Sequence, residues 1–166
     1  MNNKIKISKL LFILLLVILS SPFSVCSQNN RNGKPADKPL FRDPVFDGAA
    51  DPTIIWNSKE KKWFMFYTNR RANVIGLDGV TWVHGTRIGI AESTNGGASW
   101  KYRDTCDIQY RLTDYTHWAP EVIEHKGLYH MFLSYVPGVF TDWNHPRWII
   151  HLTSKNFQLR RFLLVR

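Results

Sequence analysis

The sequence repeats one order of short β-strand signals, and this repeat limits the fold more than any other feature. Each copy has a short apolar segment, a polar turn, a longer aromatic segment, a loop and a further strand signal. The predicted strands are 53–56, 63–68, 87–92 and 98–103 in the first copy, and 122–125, 128–136 and 147–153 in the second. No helical period separates them, so the pattern predicts an all-β fold. Repeated antiparallel meanders build β-propellers, and the two copies are predicted to be two blades.

A turn between the last two strand signals of the first copy supports this architecture. Residues 93–100 contain two adjacent glycines, which supply the positive φ angles of tight hairpin turns. The segment resembles the Asp-box turn of sialidase-type propellers, with Asn95 at the place of the aspartate. Because that turn is structural, it predicts a propeller without predicting its chemistry.

The N-terminal residues have the composition of an export signal. Three lysines precede the apolar stretch 10–19, and small residues follow it. An apolar run of about ten residues is too short to cross a bilayer as a helix. We therefore predict a signal peptide at 1–27, a secreted or periplasmic mature protein, and no stable membrane insertion. A lipoprotein anchored through Cys26 is the less favoured alternative, because Val25 is bulky for that processing.

The rest of the chain divides into three predicted parts. Residues 28–40 are rich in polar residues and lack apolar periodicity, as expected for a linker. Residues 41–156 contain the two copies and are predicted to form the partial propeller. Residues 157–166 are an aberrant apolar and basic tail without a turn signal, which we interpret as the result of truncation or a frameshift. The alternative is a short protein whose last strand is 161–165.

Charge and cysteine content argue against several classes of partner. The formal net charge is +9, but the basic excess lies near the two ends of the chain and not on a periodic face. Cys106 is the one cysteine outside the predicted signal peptide, so the mature chain has no intrachain disulfide. Close Cys and His spacings typical of zinc sites are missing. We predict no nucleic-acid partner, no metal site and no required cofactor.

Two carboxylates lie beside prolines near the first strand of each copy. Asp51 precedes Pro52, and Glu121 follows Pro120. Inner strands of propeller blades line the central channel, so acids at equivalent places in successive blades are predicted to converge. Inverting glycoside hydrolases use two carboxyl groups about 6.5–9.5 Å apart, one to activate water and one to protonate the leaving oxygen. Each acid alone also suits an ordinary turn, whereas the pair favours catalysis.

The segments around these acids resemble glycoside hydrolase family 43. The matching segments are Asp-Pro-Thr at 51–53 with the aromatic strand 63–68, and Trp-Ala-Pro-Glu-Val at 118–122 with 127–132. The resemblance extends over residues 43–156 and then stops. It implies a five-bladed β-propeller of the clan that also contains families 32, 62, 68 and 117. It also implies that the chain is an N-terminal fragment covering the first two blades.

The resemblance assigns roles to the two acids. Asp51 takes the place of the general base, and Glu121 takes that of the acid that adjusts the pKa of the catalytic acid and orients it. The family usually has Asp at the second position, so Glu121 implies a different subfamily or substrate. The proton donor of the family is a Glu in a third blade, so this chain is expected to lack it, and this absence is the reason why an inactive fragment is kept as an alternative below. Many members bind calcium in the channel, through a region that the resemblance does not reach.

Loop residues complete the predicted site. Flat aromatic rings stack on the C–H faces of sugars, and basic side chains bind hydroxyl groups or a uronate. The predicted substrate-binding residues are Arg70, Trp82, His84, Trp118, Trp143 and His145. Each of them alone is also consistent with ordinary packing.

These patterns together predict a function and leave two alternatives. The prediction is a secreted glycoside hydrolase, inverting, that cleaves O-glycosidic bonds at arabinosyl, xylosyl or galactosyl units of plant or algal polysaccharides and oligosaccharides. One alternative is a non-catalytic carbohydrate-binding or inactive propeller fragment, since the catalytic acid is missing. The other is a sialidase-like propeller, which the Asn95 turn favours but for which no arginine triad is placed on strand starts.

Overall fold

The computed structural model describes residues 38–111, 113–156 and 161–165. The predicted signal peptide and most of the predicted linker lie outside these residues. The strands are β1 (Ala49–Asn57), β2 (Lys62–Asn69), β3 (Ile88–Ser93), β4 (Lys101–Thr105), β5 (Asp107–Ile108), β6 (Thr116–His125), β7 (Leu128–Val136), β8 (Trp148–Ser154) and β9 (Arg161–Leu164). The helical structure within the described residues is a single 3₁₀ turn, Thr81–Val83. The all-β prediction is confirmed.

The strands form two sheets, each built around an antiparallel meander. The first sheet has the order β1-β2-β3-β4, and the second has the order β5-β9-β8-β7-β6. In the second sheet β6 to β9 are antiparallel neighbours, and the short β5 adds to β9 in parallel. We call β1–β4 the first meander and β6–β9 the second meander; β1–β4 match the first copy predicted from the sequence, and β6–β8 match the second.

The fourth strand of the first meander begins at Lys101, not at residue 98 as predicted. The residues before it form hydrogen bonds within the glycine turn. The Asn95 Oδ1 atom accepts hydrogen bonds from the Ser99 N–H at 3.0 Å and from the Ser93 hydroxyl at 2.9 Å. Residues up to Trp100 are therefore held by the turn, and strand pairing starts only beyond them.

The predicted aberrant tail contributes a strand in its described part. The strand β9 pairs with β8, with Leu164 opposite Leu152 and Leu163 opposite Thr153. It occupies the fourth position of the second meander, as β4 does in the first. Its Phe162 side chain is completely buried and contacts Phe66 of β2 edge-on, with ring centroids 6.1 Å apart. This strand agrees with the strand at 161–165 that the alternative required, whereas the origin of the tail in truncation or a frameshift stays a prediction.

The main core lies between the two sheets. Alternate residues of β7 face it, which is the period expected for a strand covered on one side. Buried side chains that meet there include Phe64, Phe66, Ile88 and Ile90 from the first sheet, and Met131, Leu133, Tyr135, Leu152 and Phe162 from the second. The aromatic strands β2 and β7 recognised in the sequence therefore supply part of the apolar surface that joins the sheets.

The strand β2 is buried on its other face as well, because the segment before β1 covers it. Phe41 contacts the ring of Tyr67 edge-on at 5.3 Å, and the Tyr67 hydroxyl donates a hydrogen bond to the carboxylate of Asp43. Burial raises the pKa of Tyr67, and the Asp43 carboxylate raises it further. Gly89 of β3 is needed beneath this ring, because a Cβ atom there would lie 2.2 Å from Tyr67 Cζ. These contacts fix the end of β2 that leads into the loop with Arg70.

A buried histidine in β6 makes the stability of the folded state depend on pH. His117 is 1% exposed, and its Nε2 atom lies 3.3 Å from the carbonyl oxygen of Tyr110. Burial lowers the pKa of His117 to about 4; the Tyr110 carbonyl opposes this shift, and Arg87 and Arg111 add to it. The unfolded chain binds this proton near pH 6.5, so acid favours the unfolded state.

We expect the free energy of unfolding to be largest above about pH 6.5 and to fall as the pH drops toward about 4. The contribution of His117 to this slope is about 1.4 kcal/mol per pH unit. The measurement is urea denaturation at a series of pH values in that window, for the wild type and for His117→Gln. The slope of the variant should be shallower by that amount. Equal slopes for the two proteins would show that His117 is not buried in its neutral form.

Candidate active site

A pocket of about 450 Å³ collects most of the predicted site residues. Its walls come from β1, β2, β6 and β7 and from the long loops of both meanders. The predicted site residues that line it are Asp51, Arg70, Trp82, Trp118 and Trp143. Residues far apart in the sequence therefore meet in one cavity, which has a carboxylate, a guanidinium group and three indole rings.

A β-bulge in β1 directs the carboxylate of Asp51 into this pocket. The pairing of β1 with β2 shifts between Ala50 and Thr53, and Asp51 within this shift has φ of 47°. A left-handed backbone is unusual for residues other than Gly, and Asp is among those that tolerate it best. Bulges change the direction of a side chain, and they occur often beside active sites. The Asp51 side chain is 49% exposed, so water reaches its carboxylate.

Arg70 is the cationic partner of this carboxylate. Its Nη2 atom lies 3.7 Å from the Oδ2 atom of Asp51, which is ion-pair distance but too long for a hydrogen bond. Both groups are more than a third exposed, so the pair contributes little to stability. The guanidinium also lies over the ring of Trp82, 5.9 Å from its centroid. Arg70 therefore links the carboxylate to one aromatic wall of the pocket.

The other aromatic wall is formed by two tryptophans of the second meander. The Trp118 and Trp143 rings are 6.0 Å apart and inclined at 50°. The indole N–H of Trp118 donates to the carbonyl oxygen of Val83 at 2.8 Å, which ties this ring to the first meander. Trp143 is half exposed at the pocket edge. These rings offer apolar faces to a sugar beside the Asp51 carboxylate.

The bulges in β1 and β6 allow the two meanders to be aligned residue by residue. In β6 the pairing with β7 shifts between Trp118 and Glu121, as it shifts between Ala50 and Thr53 in β1. In each case the shift encloses two residues, the second of which is a proline. Trp118 therefore corresponds to Ala50, and Glu121 corresponds to Thr53.

This alignment corrects the predicted equivalence of the two acids. The residue that precedes the proline has φ of 47° in both meanders, and it is Asp51 in the first and Ala119 in the second. Glu121 lies beyond the bulge, is exposed on β6, and is not among the residues that line the pocket. The sequence comparison matched the acids because each adjoins a proline, but one precedes its proline and the other follows it.

The structure also corrects the prediction that His84 and His145 contact substrate. His84 is 0% exposed and His145 is 8% exposed, and neither lines the pocket. Both rings lie behind Trp118, at centroid distances of 4.8 and 5.6 Å. Burial lowers the pKa of His84, the Val80 carbonyl raises it, and His145 and Arg71 lower it further. The two histidines therefore support the pocket from below and do not reach into it.

Comparison with solved structures relates this geometry to known proteins. The chain is similar to a family 117 glycoside hydrolase of the marine bacterium Zobellia galactanivorans, with 16% identity and a TM-score of 0.52, over 70% of this chain and 38% of that one. It is also similar to an endo-arabinase of Bacteroides thetaiotaomicron (20% identity, TM-score 0.48, 76% and 38% of the two chains) and to an arabinanase of Bacillus subtilis (17%, 0.46, 70% and 38%). The chain has the fold of a β-propeller. No protein-family model and no curated protein matches it.

The propeller assignment rests on the family 117 structure, whose TM-score exceeds 0.5. At 16% identity this similarity concerns the fold alone. The chain spans 38% of the length of each of the three solved chains. The predicted β-propeller fold, of which this chain forms about two blades, is confirmed. The first meander is the first blade, and the second meander is the second blade.

Sequence reasoning missed two polar residues of the propeller pocket. Thr68 and Ser134 line it from corresponding positions, opposite Ala50 and Trp118 in the two blades. The Thr68 Oγ1 atom accepts a hydrogen bond from the Ala119 N–H at 2.7 Å, which joins the blades beside the pocket. In the sequence, each is a small hydroxyl residue near the end of an aromatic strand. This position indicates a pocket residue only when the arrangement of the strands around the common cavity is known.

The described residues contain neither a metal-binding cluster nor a membrane-spanning helix. Within 38–111, 113–156 and 161–165, no three His, Cys, Asp or Glu side chains are grouped to hold a metal ion. In the same ranges no helix has the length and apolar character needed to cross a membrane. The predicted independence from metals and cofactors stays a prediction.

Proposed function

We propose that this chain provides the sugar-binding pocket and the general base of an exported glycoside hydrolase. The substrates proposed are arabinosyl, xylosyl or galactosyl units of plant or algal polysaccharides and oligosaccharides, cleaved with inversion. The observation that carries the proposal is the half-exposed carboxylate of Asp51 among three tryptophans in one pocket. The solved chains of similar fold include arabinanases and a family 117 glycoside hydrolase, which agrees with a carbohydrate substrate.

In this proposal Asp51 removes a proton from the attacking water. A half-exposed carboxylate admits water, and the Arg70 guanidinium lies 3.7 Å from it. The indole rings hold a sugar by its apolar face, so that the anomeric carbon is presented to the water. We propose a catalytic role for Asp51 alone, because Glu121 does not line the pocket.

Hydrolysis with inversion also needs a proton donor for the leaving oxygen. Asp51 is the one carboxylate among the described residues that line the pocket. An activated aryl leaving group departs as a stable anion and needs no proton donor. Aryl arabinosides and xylosides with such leaving groups therefore report on the base without the acid. Natural oligosaccharides report on binding to the same pocket.

The pocket predicts which tryptophan controls sugar affinity. Trp143→Ala should raise the Kd for arabinotriose or xylotriose about tenfold, because the variant loses a ring face that the sugar would cover. The matched control is Trp56→Ala, which removes a similarly exposed ring of β1 outside the pocket. Isothermal titration calorimetry gives both values. Equal affinities for the two variants, or no binding of either sugar by the wild type, would contradict the pocket assignment.

A non-catalytic carbohydrate-binding role is the second candidate. It is favoured by the single carboxylate among the described lining residues, since one carboxylate can orient a sugar hydroxyl without cleaving a bond. The two functions differ in one result. The binding function predicts sugar affinity with no release of aryl alcohol, whereas the hydrolase predicts both.

Export is proposed from residues 1–27, and N-terminal sequencing of protein recovered from the culture medium or periplasm tests it.

A further inference from the structure

Two histidines from different blades contact each other beneath the aromatic wall of the pocket. His84 follows the 3₁₀ turn in the long loop of the first blade, and His145 lies in the loop between β7 and β8 of the second blade. Their Nε2 atoms are 3.1 Å apart, and both rings are buried. A polar contact in such an apolar setting is favourable only when a hydrogen atom lies between the two nitrogens.

The contacts of the two Nδ1 atoms determine which ring nitrogens carry hydrogen. His84 Nδ1 lies 3.0 Å from the carbonyl oxygen of Val80, and His145 Nδ1 lies 3.3 Å from that of Pro146. Carbonyl oxygens only accept, so each of these contacts requires an N–H group on the ring, and the contact between the rings requires a third. Two neutral imidazoles carry two N–H groups. The longest contact, from His145 to Pro146, is the one left without a hydrogen.

This count gives each ring one tautomer. His84 carries its hydrogen on Nδ1 and donates to Val80, so its Nε2 atom is an acceptor. His145 carries its hydrogen on Nε2 and donates to His84. The hydrogen bond therefore runs from the second blade to the first.

The surroundings of His84 disfavour a positive charge on its ring. The Arg71 guanidinium donates to the carbonyl oxygen of Thr81 in the loop that holds His84, and it opposes protonation of that ring. From the second blade the pair is faced by the rings of Trp118, Trp143 and Phe140, and Phe140 stacks on His145 at 4.7 Å. The charged Asp142 and Arg147 beside His145 in sequence are exposed. These surroundings therefore favour the neutral form of His84, whose Nε2 atom can then accept a hydrogen bond from His145.

The rings of this pair also touch the sugar-facing side chains. The His84 ring lies 4.8 Å from the ring of Trp118 and 6.4 Å from that of Trp143. The Trp118 indole N–H is bound to Val83, the residue before His84. A shift of either imidazole would therefore change the angle between the two indole faces of the pocket.

We infer that His145 donates a hydrogen bond to His84 across the two blades, and that this bond positions Trp118 and Trp143 for the sugar. Both histidines are positioning residues, because neither lines the pocket. The effect on sugar affinity rests on the proposed function, whereas the hydrogen bond itself does not. The two parts are therefore tested by separate measurements.

The hydrogen bond is tested without sugar by nitrogen NMR of the imidazole rings at neutral pH. The expected spectrum shows a hydrogen on Nε2 of His145 and on Nδ1 of His84. A spectrum with the hydrogen of His145 on Nδ1 and none on Nε2 would overturn the inference. His130→Gln and His151→Gln assign the signals of the other close histidine pair, whose nitrogens are 2.9 Å apart on β7 and β8.

The positioning role is tested with two variants at one site. The amide nitrogen of Gln takes the place of an imidazole Nε2 and keeps an N–H donor, whereas Leu keeps bulk and loses the donor. His145→Leu should raise the Kd for arabinotriose about tenfold, and His145→Gln should change it less than about twofold. Equal losses in both variants, or no loss with Leu, would overturn the positioning role.

A readout from the tryptophans separates failure of this inference from failure of the proposed function. If the wild type binds neither arabinotriose nor xylotriose, the sugar-binding proposal fails and the affinity test has no meaning. Tryptophan emission still reports the indole positions in the absence of sugar. The expected result is an altered emission maximum in His145→Leu and a wild-type maximum in His145→Gln. Identical maxima in all three folded proteins would overturn the role of the pair.

Discussion

Asp51→Asn is expected to lower the rate of hydrolysis of an activated aryl arabinoside by about 10²–10⁴-fold, the usual contribution of a general base. The amide keeps the shape of the side chain and its place in the bulge of β1, but it cannot accept a proton from water. The affinity for arabinotriose should change much less than the rate, because the tryptophan faces remain. Release of the aryl alcohol, followed by absorbance, measures the rate, and calorimetry measures the affinity.

Two controls sharpen this prediction. Asp78→Asn removes an exposed carboxylate in the long loop of the first blade, outside the pocket, and should leave the rate unchanged. Glu121→Gln should have a far smaller effect than Asp51→Asn, since Glu121 corresponds to Thr53 and not to Asp51. Turnover that survives Asp51→Asn would remove Asp51 from the mechanism. A loss in Glu121→Gln as large as that in Asp51→Asn would restore the pairing of acids suggested by the sequence.

Local patterns predict the strands and the aromatic walls of the pocket because they depend on neighbours in the chain. The alternation of apolar residues in 128–136 marks β7 directly, and the polar turns mark the ends of strands. The loop tryptophans Trp82 and Trp143 are predicted because they lie in the long insertions, where their rings can stack on a sugar. Each of these features is visible within about ten residues.

The register of strand pairing and the burial of loop side chains cannot be predicted from local sequence patterns. The offset between Asp51 and Glu121 depends on bulges that are defined only by pairing with a second strand. The burial of His84 and His145 depends on two loops that meet across the blades. A histidine in a polar loop has the same local sequence whether it faces a sugar or an indole ring. Such residues are therefore where prediction from the sequence failed.

The strand β9 shows the same limit most clearly. Its four residues have no turn signal before them, and their apolar and basic pattern differs from that of the other strands. Their place is set by β8 on one side and β5 on the other, which are partners separated from them in the sequence. Because the pairing is non-local, the sequence offers a strand at 161–165 only as an alternative, and the choice between a strand and a tail depends on β5 and β8.

Phe162→Ala is therefore expected to lower the free energy of unfolding by about 3–5 kcal/mol, the usual result of removing a buried phenylalanine ring. The ring is completely buried between the sheets and contacts Phe66 of the first blade edge-on. Its loss leaves a cavity at the point where the outer strand of one blade supports the aromatic strand of the other. Since whole domains are stable by about 5–15 kcal/mol, this change removes a large share of the total.

The matched control is Leu163→Ala in the same strand, where the side chain is 53% exposed. Surface substitutions of this kind change stability by about 0.5 kcal/mol or less. Urea denaturation followed by tryptophan fluorescence compares the two variants with the wild type. A large loss with Phe162→Ala and a small one with Leu163→Ala identifies β9 as an integral strand of the second blade. If both variants unfold at the wild-type urea concentration, residues 161–164 do not pack against the core, and they form the peripheral tail that the sequence first suggested.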